Sequence, residues 1–228
     1  MTRQRSGPGV DKLLARQPWD SLIPHIARVG ADPVAALERL RAYSARVLEW
    51  NRSVSNIVSR NDEHRFVERH IAESIEPAHW LAASGAKRWI DLGSGAGLPA
   101  IPLAAIGIGE SWTLVESRRM KTLFLRKAIE ELGLKRVEVV LARIETMAED
   151  QARRDAYDGF ISRATIALDP TLVIAAHFVR PGGHAFLWKG SHREEEMRAG
   201  TGWRDSWELD GLLGIGSGQT VVARFIRK

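Results

Sequence analysis

Asp91-Leu92-Gly93-Ser94-Gly95-Ala96-Gly97-Leu98-Pro99 is the stretch on which the fold turns. A short apolar run, Arg88 to Leu92, leads into it, and a helical pattern from about residue 99 to 107 follows. Glycines at such a strand-to-helix junction let the backbone turn sharply and approach a ligand where a side chain would clash. Working outward, further apolar runs occur at Trp112–Glu116, Val137–Leu141, Gly159–Ser162 and His184–Trp188. Helical patterns over about 119–132, 146–153 and 169–178 separate them, the last opened by Asp169-Pro170 as cap and first-turn proline. Strands alternating with helices predict βαβ units and a mostly parallel sheet. Trp203–Glu208 and Thr220–Ile226 read as two more strands, an antiparallel finishing hairpin joined through glycines 211, 214, 216 and 218. The expectation is an α/β, Rossmann-like fold with seven strands.

Upstream of residue 84 the pattern is helical. Asp32-Pro33 is a cap followed by a first-turn proline, and Ala36, Leu40, Tyr43, Val47 and Trp50 recur at helical spacing. Ser53 to Asn56 interrupts this helix; a second is expected through Phe66, Val67, His70 and Ile71, and a third from about Ile75 to Ala83. Residues 1–83 therefore read as a helical extension, with 1–10 a loose tail rich in Gly, Pro and Ser. Residues 84–228 read as the catalytic core.

Composition sets outer limits. Of 228 residues, 44% are hydrophobic and 27% charged, enough for a real core. There is no cysteine, which excludes disulfides, zinc-thiolate sites and a cysteine nucleophile; no metal site is expected. No apolar run is long enough to span a bilayer, and no secretory signal is visible. A cytoplasmic, membrane-free monomer is the simplest expectation. Lys plus Arg total 33 against 28 Asp plus Glu, and a net charge of +5 suits an anionic partner such as RNA without requiring one.

The ligand follows from the spacing. A dinucleotide loop needs G-x-G-x-x-G, but Leu98 stands where the third glycine would be. G-x-G-x-G with an acidic residue two before it suits a ligand without phosphates. Asp91 and the backbone of Gly93, Gly95 and Gly97 can meet the methionine end of S-adenosylmethionine. Glu116, at the end of the second strand, can accept hydrogen bonds from both ribose hydroxyls. The bland alternative, a tight turn and nothing more, explains the glycines but not the two carboxylates. Further chemistry is narrowed by absences. Carbon-5 pyrimidine methylation usually needs cysteine. Amino-group methylation usually carries Asn/Asp-Pro-Pro-aromatic after the fourth strand, where this chain has Ser162-Arg163-Ala164-Thr165. Guanine N7 bears a lone pair and no hydrogen, so alignment can supply much of the rate without a general base.

At these residues the chain resembles the glucose-inhibited division protein B family of 16S rRNA guanine-N7 methyltransferases. The resemblance spans about Trp50 to Gly190. It is carried by Trp50-Asn51 with Asn56-Ile57, Arg69 to Ser74, Asp91 to Ala104, Glu116-Ser117 with Lys121 to Arg126, Arg143-Ile144-Glu145, Ser162-Arg163-Ala164, and Pro181-Gly182-Gly183 leading to Lys189-Gly190. Ala100 stands where the family usually has glycine, and Glu73 and Ile75 also depart from its usual residues. The resemblance implies a cofactor site at Gly93, Leu98, Glu116, Ser117, Ile144, Glu145 and Arg163. It implies methylation of a guanine in the decoding-centre loop, on 16S rRNA or a small ribosomal subunit particle. Arg163 and Lys189 follow strands of the catalytic sheet and are the candidates for catalysis. Arg118, Arg119, Lys121, Arg126 and Lys189 are candidates for RNA contact, although the helix 118–127 reads equally well as a solvated face. Trp50 and His70 read more simply as structural. A small-molecule or protein methyltransferase, and an RNA-binding module with a vestigial cofactor site, remain as rival readings.

Overall fold

The structure is a computed structural model that describes residues 8–163, 166–216 and 218–228. The helices are α1 (Pro8–Ala15), α2 (Ile23–Arg28), α3 (Pro33–Ser53), α4 (Glu73–Ile75), α5 (Ala78–Ala83), α6 (Ala100–Ala105), α7 (Arg119–Glu131), α8 (Ile144–Met147), α9 (Leu168–Phe178) and α10 (Arg193–Ala199). The strands are β1 (Arg88–Leu92), β2 (Ser111–Glu116), β3 (Val137–Leu141), β4 (Tyr157–Arg163), β5 (Val179–Lys189), β6 (Trp207–Ile215) and β7 (Thr220–Arg227). They form one sheet in the order β3-β2-β1-β4-β5-β7-β6. The first five strands are parallel, and β7 and β6 add an antiparallel hairpin. The sheet is thus the mostly parallel, seven-stranded one expected. Strand order reverses between β1 and β4, so the ligand crevice of such a sheet opens beyond Leu92 and Arg163.

Each face of the sheet buries its own core. On one face Trp89, Leu114, Ile161 and Phe186 pack with Phe124 and Leu125 of α7 and with Leu40, Tyr43, Val47, Ile71 and Leu81 from upstream helices. On the other, Ile90, Phe160, Leu187 and Phe225 pack with Leu172 and Phe178 of α9 and with Trp203 and Trp207. The upstream helices therefore share a core with the sheet. Asp32 caps α3 as expected, accepting from Val34 N–H at 3.0 Å.

Several expectations are revised. α1 begins at Pro8, within the stretch that reads as loose, because Val10 and Leu14 are buried; residues 1–7 lie outside the described residues. The helix expected around Phe66–Ile71 is a π-helix, Val67–Ala72, preceded by a 3-10 turn, Arg60–Arg65. Pro77, which cannot donate within a helix, separates α4 from α5 in place of one continuous helix. The 146–153 helix divides into α8 and a 3-10 turn, Gln151–Arg153, which Asp150 caps. Asp169 does not cap α9. It lies in the first turn, and its carboxylate accepts from Trp203 N–H at 2.9 Å. That bond helps hold Trp203 in a 3-10 turn, Gly202–Asp205, instead of the expected strand. Gly211 and Gly214 lie inside β6, and only Gly216 and Gly218 take the left-handed turn. A Cβ on Gly211 would come within 3.2 Å of the Trp80 ring, so glycine serves packing at that position. The polar stretch after Gly190 forms α10.

Candidate functional site

The loop after β1 is stitched to the end of β2. Gly93 and Ser94 N–H both donate to Val115 O, at 2.9 and 3.0 Å. Gly95 N–H donates to Glu116 Oε2 at 3.0 Å, and Arg118 N–H to Glu116 Oε1 at 2.8 Å. From α3, Tyr43 donates its hydroxyl to Ala96 O at 2.6 Å. Its burial pushes the phenol pKa up, so the hydroxyl stays protonated as a donor. Gly93, Gly95 and Gly97 all have left-handed φ, +68°, +57° and +86°. Their surroundings differ. A Cβ on Gly97 would lie 2.4 Å from Ile101 Cδ1 and 3.1 Å from Leu125 Cδ2, so this glycine answers to packing on α6 and α7. A Cβ on Gly95 would meet nothing nearer than 3.7 Å.

Two carboxylates converge on this loop. Glu116 is 6% exposed and has one backbone donor on each oxygen, leaving further lone pairs for hydroxyl donors. Asp91 is 1% exposed, and its Oδ2 has no hydrogen-bond partner among the described residues. Burial pushes its carboxyl up to about 7; Glu116 adds to the rise and Ser94 opposes it. A buried oxygen without a donor at a ligand crevice is where a cationic group would be stabilised. The residues present therefore fit the methionine and ribose parts of S-adenosylmethionine. Of the other expected contacts, Leu98 is half-buried, Ser117 and Glu145 are exposed, and Ile144 is buried in the core cluster under α9.

The carboxyl ends of β4 and β5 are built differently. Arg163 Nη2 donates to Glu73 Oε2 at 2.8 Å and to Arg69 O at 2.9 Å. Arg69 Nη1 donates to Glu73 Oε1 at 2.7 Å, so two guanidinium groups share one buried carboxylate. Trp188 Nε1 donates to Glu73 O at 2.9 Å, tying the same residue to β5. Arg163 Nη1 is buried without a partner among the described residues. The nearby His70 imidazole is driven down to about 4 by burial first and by Arg163 next. It is therefore neutral at pH 7, and the 3.8 Å approach of its Nε2 to Asp62 is neither an ion pair nor a hydrogen bond.

Lys189 corrects an expectation. The sequence suggests a lysine open to RNA, but it is 8% exposed, and its Nζ donates to Glu196 Oε2 at 2.7 Å and Ile166 O at 2.9 Å. Glu73 and Glu196, the partners that occupy the two cations, do not stand out in the sequence; Glu73 is visible there only as a departure from the family pattern. Tyr43 reads there as core alone. Arg118, Arg119 and Arg126 are exposed, and Lys121 is half-buried with its Nζ 3.8 Å from the Cβ position of Gly95. Among the described residues none of these four enters an ion pair, although Arg126 Nη2 donates to Val139 O at 3.3 Å. Among the described residues no cluster of metal-ligating side chains occurs, and no helix is long and apolar enough to cross a membrane.

Among solved structures, a mutant of MtNAS aligns with TM-score 0.56 and 16% identity over 84% of this chain and 71% of that one. An rRNA methylase from Streptococcus thermophilus aligns with TM-score 0.50 and 14% identity over 68% of this chain and 96% of that one. At such identities these likenesses show the fold alone. Curated relatives are much more similar. The ribosomal RNA small subunit methyltransferase G of Deinococcus deserti is 34% identical over 84% of this chain and 78% of its own length. That of Xanthomonas axonopodis pv. citri is 35% identical over 78% of this chain and 87% of its own. The family described as GidB, rRNA small subunit methyltransferase G, matches residues 36–206. With that match covering most of the sheet and its glycine loop, the chain belongs to the GidB family of S-adenosylmethionine-dependent rRNA small subunit methyltransferases.

Proposed function

We propose that the chain transfers a methyl group from S-adenosylmethionine to N7 of a guanine in the decoding-centre loop of 16S rRNA, presented as RNA or in a small-subunit particle. The observation that carries the reading is the pair of carboxyl groups, Asp91 and Glu116, flanking the glycine loop beside the strand-order reversal. Asp91 Oδ2 receives the cofactor's ammonium. Glu116, already oriented by two backbone amides, accepts from the ribose hydroxyls. Gly93, Gly95 and Leu98 shape the loop face, and Ser117, Ile144 and Glu145 border the adenine side. The bound cofactor supplies an electrophilic methyl on a sulfonium sulfur. The chain's own work is to hold donor and acceptor in line and to exclude water. Guanine N7 needs no deprotonation, which matches a site whose nearby histidine, His70, is half-buried and neutral.

Arg163 acts by holding β4 to the π-helix through Arg69 O and to α4 through Glu73. Arg118, Arg119, Lys121 and Arg126, which enter no ion pair among the described residues, offer cations to the phosphate backbone. We read residues 1–83 as a helical extension of the 84–228 core, and the enzyme as a cytoplasmic monomer.

The test is transfer of labelled methyl from S-adenosylmethionine to small-subunit rRNA from cells lacking the modification, with the product mapped by cleavage at N7-methylated guanine. One labelled guanine in the small-subunit RNA is expected. Label in another base, in protein or only in small metabolites overturns the reading.

A further inference from the structure

We propose that Lys189 and Glu196 form a positioning pair that holds the backbone just past β4, so that Ile166 stands as an apolar wall for the target base. The inference rests on the rRNA methyltransferase reading above. Its starting point is a cation in an expensive place. Lys189 ends β5 and is 8% exposed, and a buried ammonium is tolerated only when its donors are satisfied. One donor goes to Glu196 Oε2 at 2.7 Å and another to the main-chain carbonyl of Ile166 at 2.9 Å. Glu196, from α10, turns back and accepts from Leu168 N–H at 2.8 Å. Thr171 Oγ1, from α9, donates to Ala167 O at 2.7 Å. The backbone over 166–168 is thus held by β5, α9 and α10 together.

None of these bonds uses the Ile166 side chain, which is 42% exposed, whereas Leu168 two residues later is fully buried. A single exposed isoleucine is ordinary on a protein surface. What sets this one apart is the buried lysine and its half-buried glutamate partner, committed to its carbonyl and to the amide two residues on. Its place matters as well. β4 lies beside β1 in register Leu92 with Ser162, so Arg163, three residues before Ile166, ends at the same carboxyl edge as the glycine loop. A methyl acceptor must come to that edge to meet a donor held by Asp91 and Glu116. A guanine drawn from its stack leaves its neighbours, and an apolar side chain on a rigid backbone can cover one of its faces.

The experiment measures steady-state transfer to unmodified small-subunit rRNA, cofactor affinity by calorimetry, and melting temperature. Ile166→Ser should lower kcat/KM for RNA about tenfold, as removal of a base-covering side chain does, while cofactor affinity and melting temperature hold. Ile166→Phe, which keeps an apolar face, should recover most of that activity. Glu196→Gln, which weakens the clamp and keeps its shape, should lower kcat/KM for RNA in the same direction with cofactor affinity unchanged. Wild-type kinetics in Ile166→Ser overturn the proposal, and so does a Glu196→Gln variant that only melts earlier. If the unaltered enzyme methylates no rRNA, the functional reading itself falls and this inference with it. If the unaltered enzyme does so and Ile166→Ser matches it, only this inference falls.

Discussion

The carboxyl ends of β1 and β2 and those of β4 and β5 look alike in the sequence and are opposite in the structure. Each pair of strands carries charged residues at or one before its carboxyl ends, Asp91 and Glu116 on one side, Arg163 and Lys189 on the other. On the β1–β2 side, the charges retain free capacity. Among the described residues Asp91 Oδ2 has no donor, and Glu116 holds two backbone amides. On the β4–β5 side, the cations are largely consumed. Arg163 is locked to Glu73, and Lys189 to Glu196 and a loop carbonyl. A charged residue at a strand end is thus assigned to a site by its position and to a task by whatever pairs with it. The first side keeps capacity for a ligand, and the second is spent on the fold.

The largest effect should come from breaking the second side. Glu73→Ala leaves Arg69 and Arg163 without their shared carboxylate, and loss of one partner from a buried pair costs about 3–5 kcal/mol. The urea midpoint should fall accordingly, with Glu73→Gln between the two. A midpoint equal to wild type would mean that the π-helix is held by packing alone.

The glycine loop should divide in the same way. Gly97→Ala combines a left-handed φ with a 2.4 Å approach to Ile101, and should cost about 2–4 kcal/mol of stability. Gly95→Ala meets a left-handed φ with open space around it, and should cost about 1 kcal/mol. If the two variants melt together, the loop glycines serve one purpose and not two.

On the first side, Glu116→Ala should weaken S-adenosylmethionine binding by about 1.5–3 kcal/mol, measured by calorimetry, because charge-assisted hydrogen bonds to the ribose are removed. Asp91 predicts a pH dependence. Its folded pKa of about 7 lies above the ordinary 3.8, so the folded protein holds a proton that the unfolded chain has released. Its contribution to stability is therefore lost as pH rises from 3.8 towards 7. The ionised form is the one that pairs with an ammonium, so cofactor affinity should climb as pH rises through about 7 and then level off. Asp91→Asn should flatten that profile; a profile that survives the substitution removes Asp91 from the site.

The smallest effects belong to the exposed cations of α7. Replacing Arg119 or Lys121 by alanine should leave cofactor affinity almost unchanged and reduce the salt dependence of RNA binding by about one unit of slope for each phosphate no longer neutralised. An unchanged slope would mean that this helix face is only solvated.

The difference between the two sides also marks what can be read from sequence. The glycine loop, Asp91 and Glu116 are legible because strand, turn and next strand end lie within 26 residues, and each signal is local: apolar alternation, glycine, a carboxylate at a strand terminus. The tasks of Arg163 and Lys189 are not, and Lys189 reads misleadingly as an open RNA contact. Glu73 lies 90 residues before Arg163, and the fold alone brings them to 2.8 Å. Glu196 is near Lys189 in sequence, yet it faces back only because α10 forms; its Arg, Glu, Met and Ala residues favour a helix, but its charged composition gives no apolar face to show which way the helix packs.

The amino-acid sequence by itself determined the α/β alternation, the seven strands, the position of the glycine loop and the two carboxylates beside it. Those follow from periodicity and from backbone constraints that act within a few residues. The tertiary structure alone decided that Gly97 serves Ile101, that Asp91 keeps an unpaired oxygen, that Trp203 turns inward onto Asp169, and that two strand-end cations are spent on Glu73 and Glu196. Each of these depends on which distant groups the folded chain brings within hydrogen-bonding or van der Waals reach, and that range has no counterpart in sequence separation.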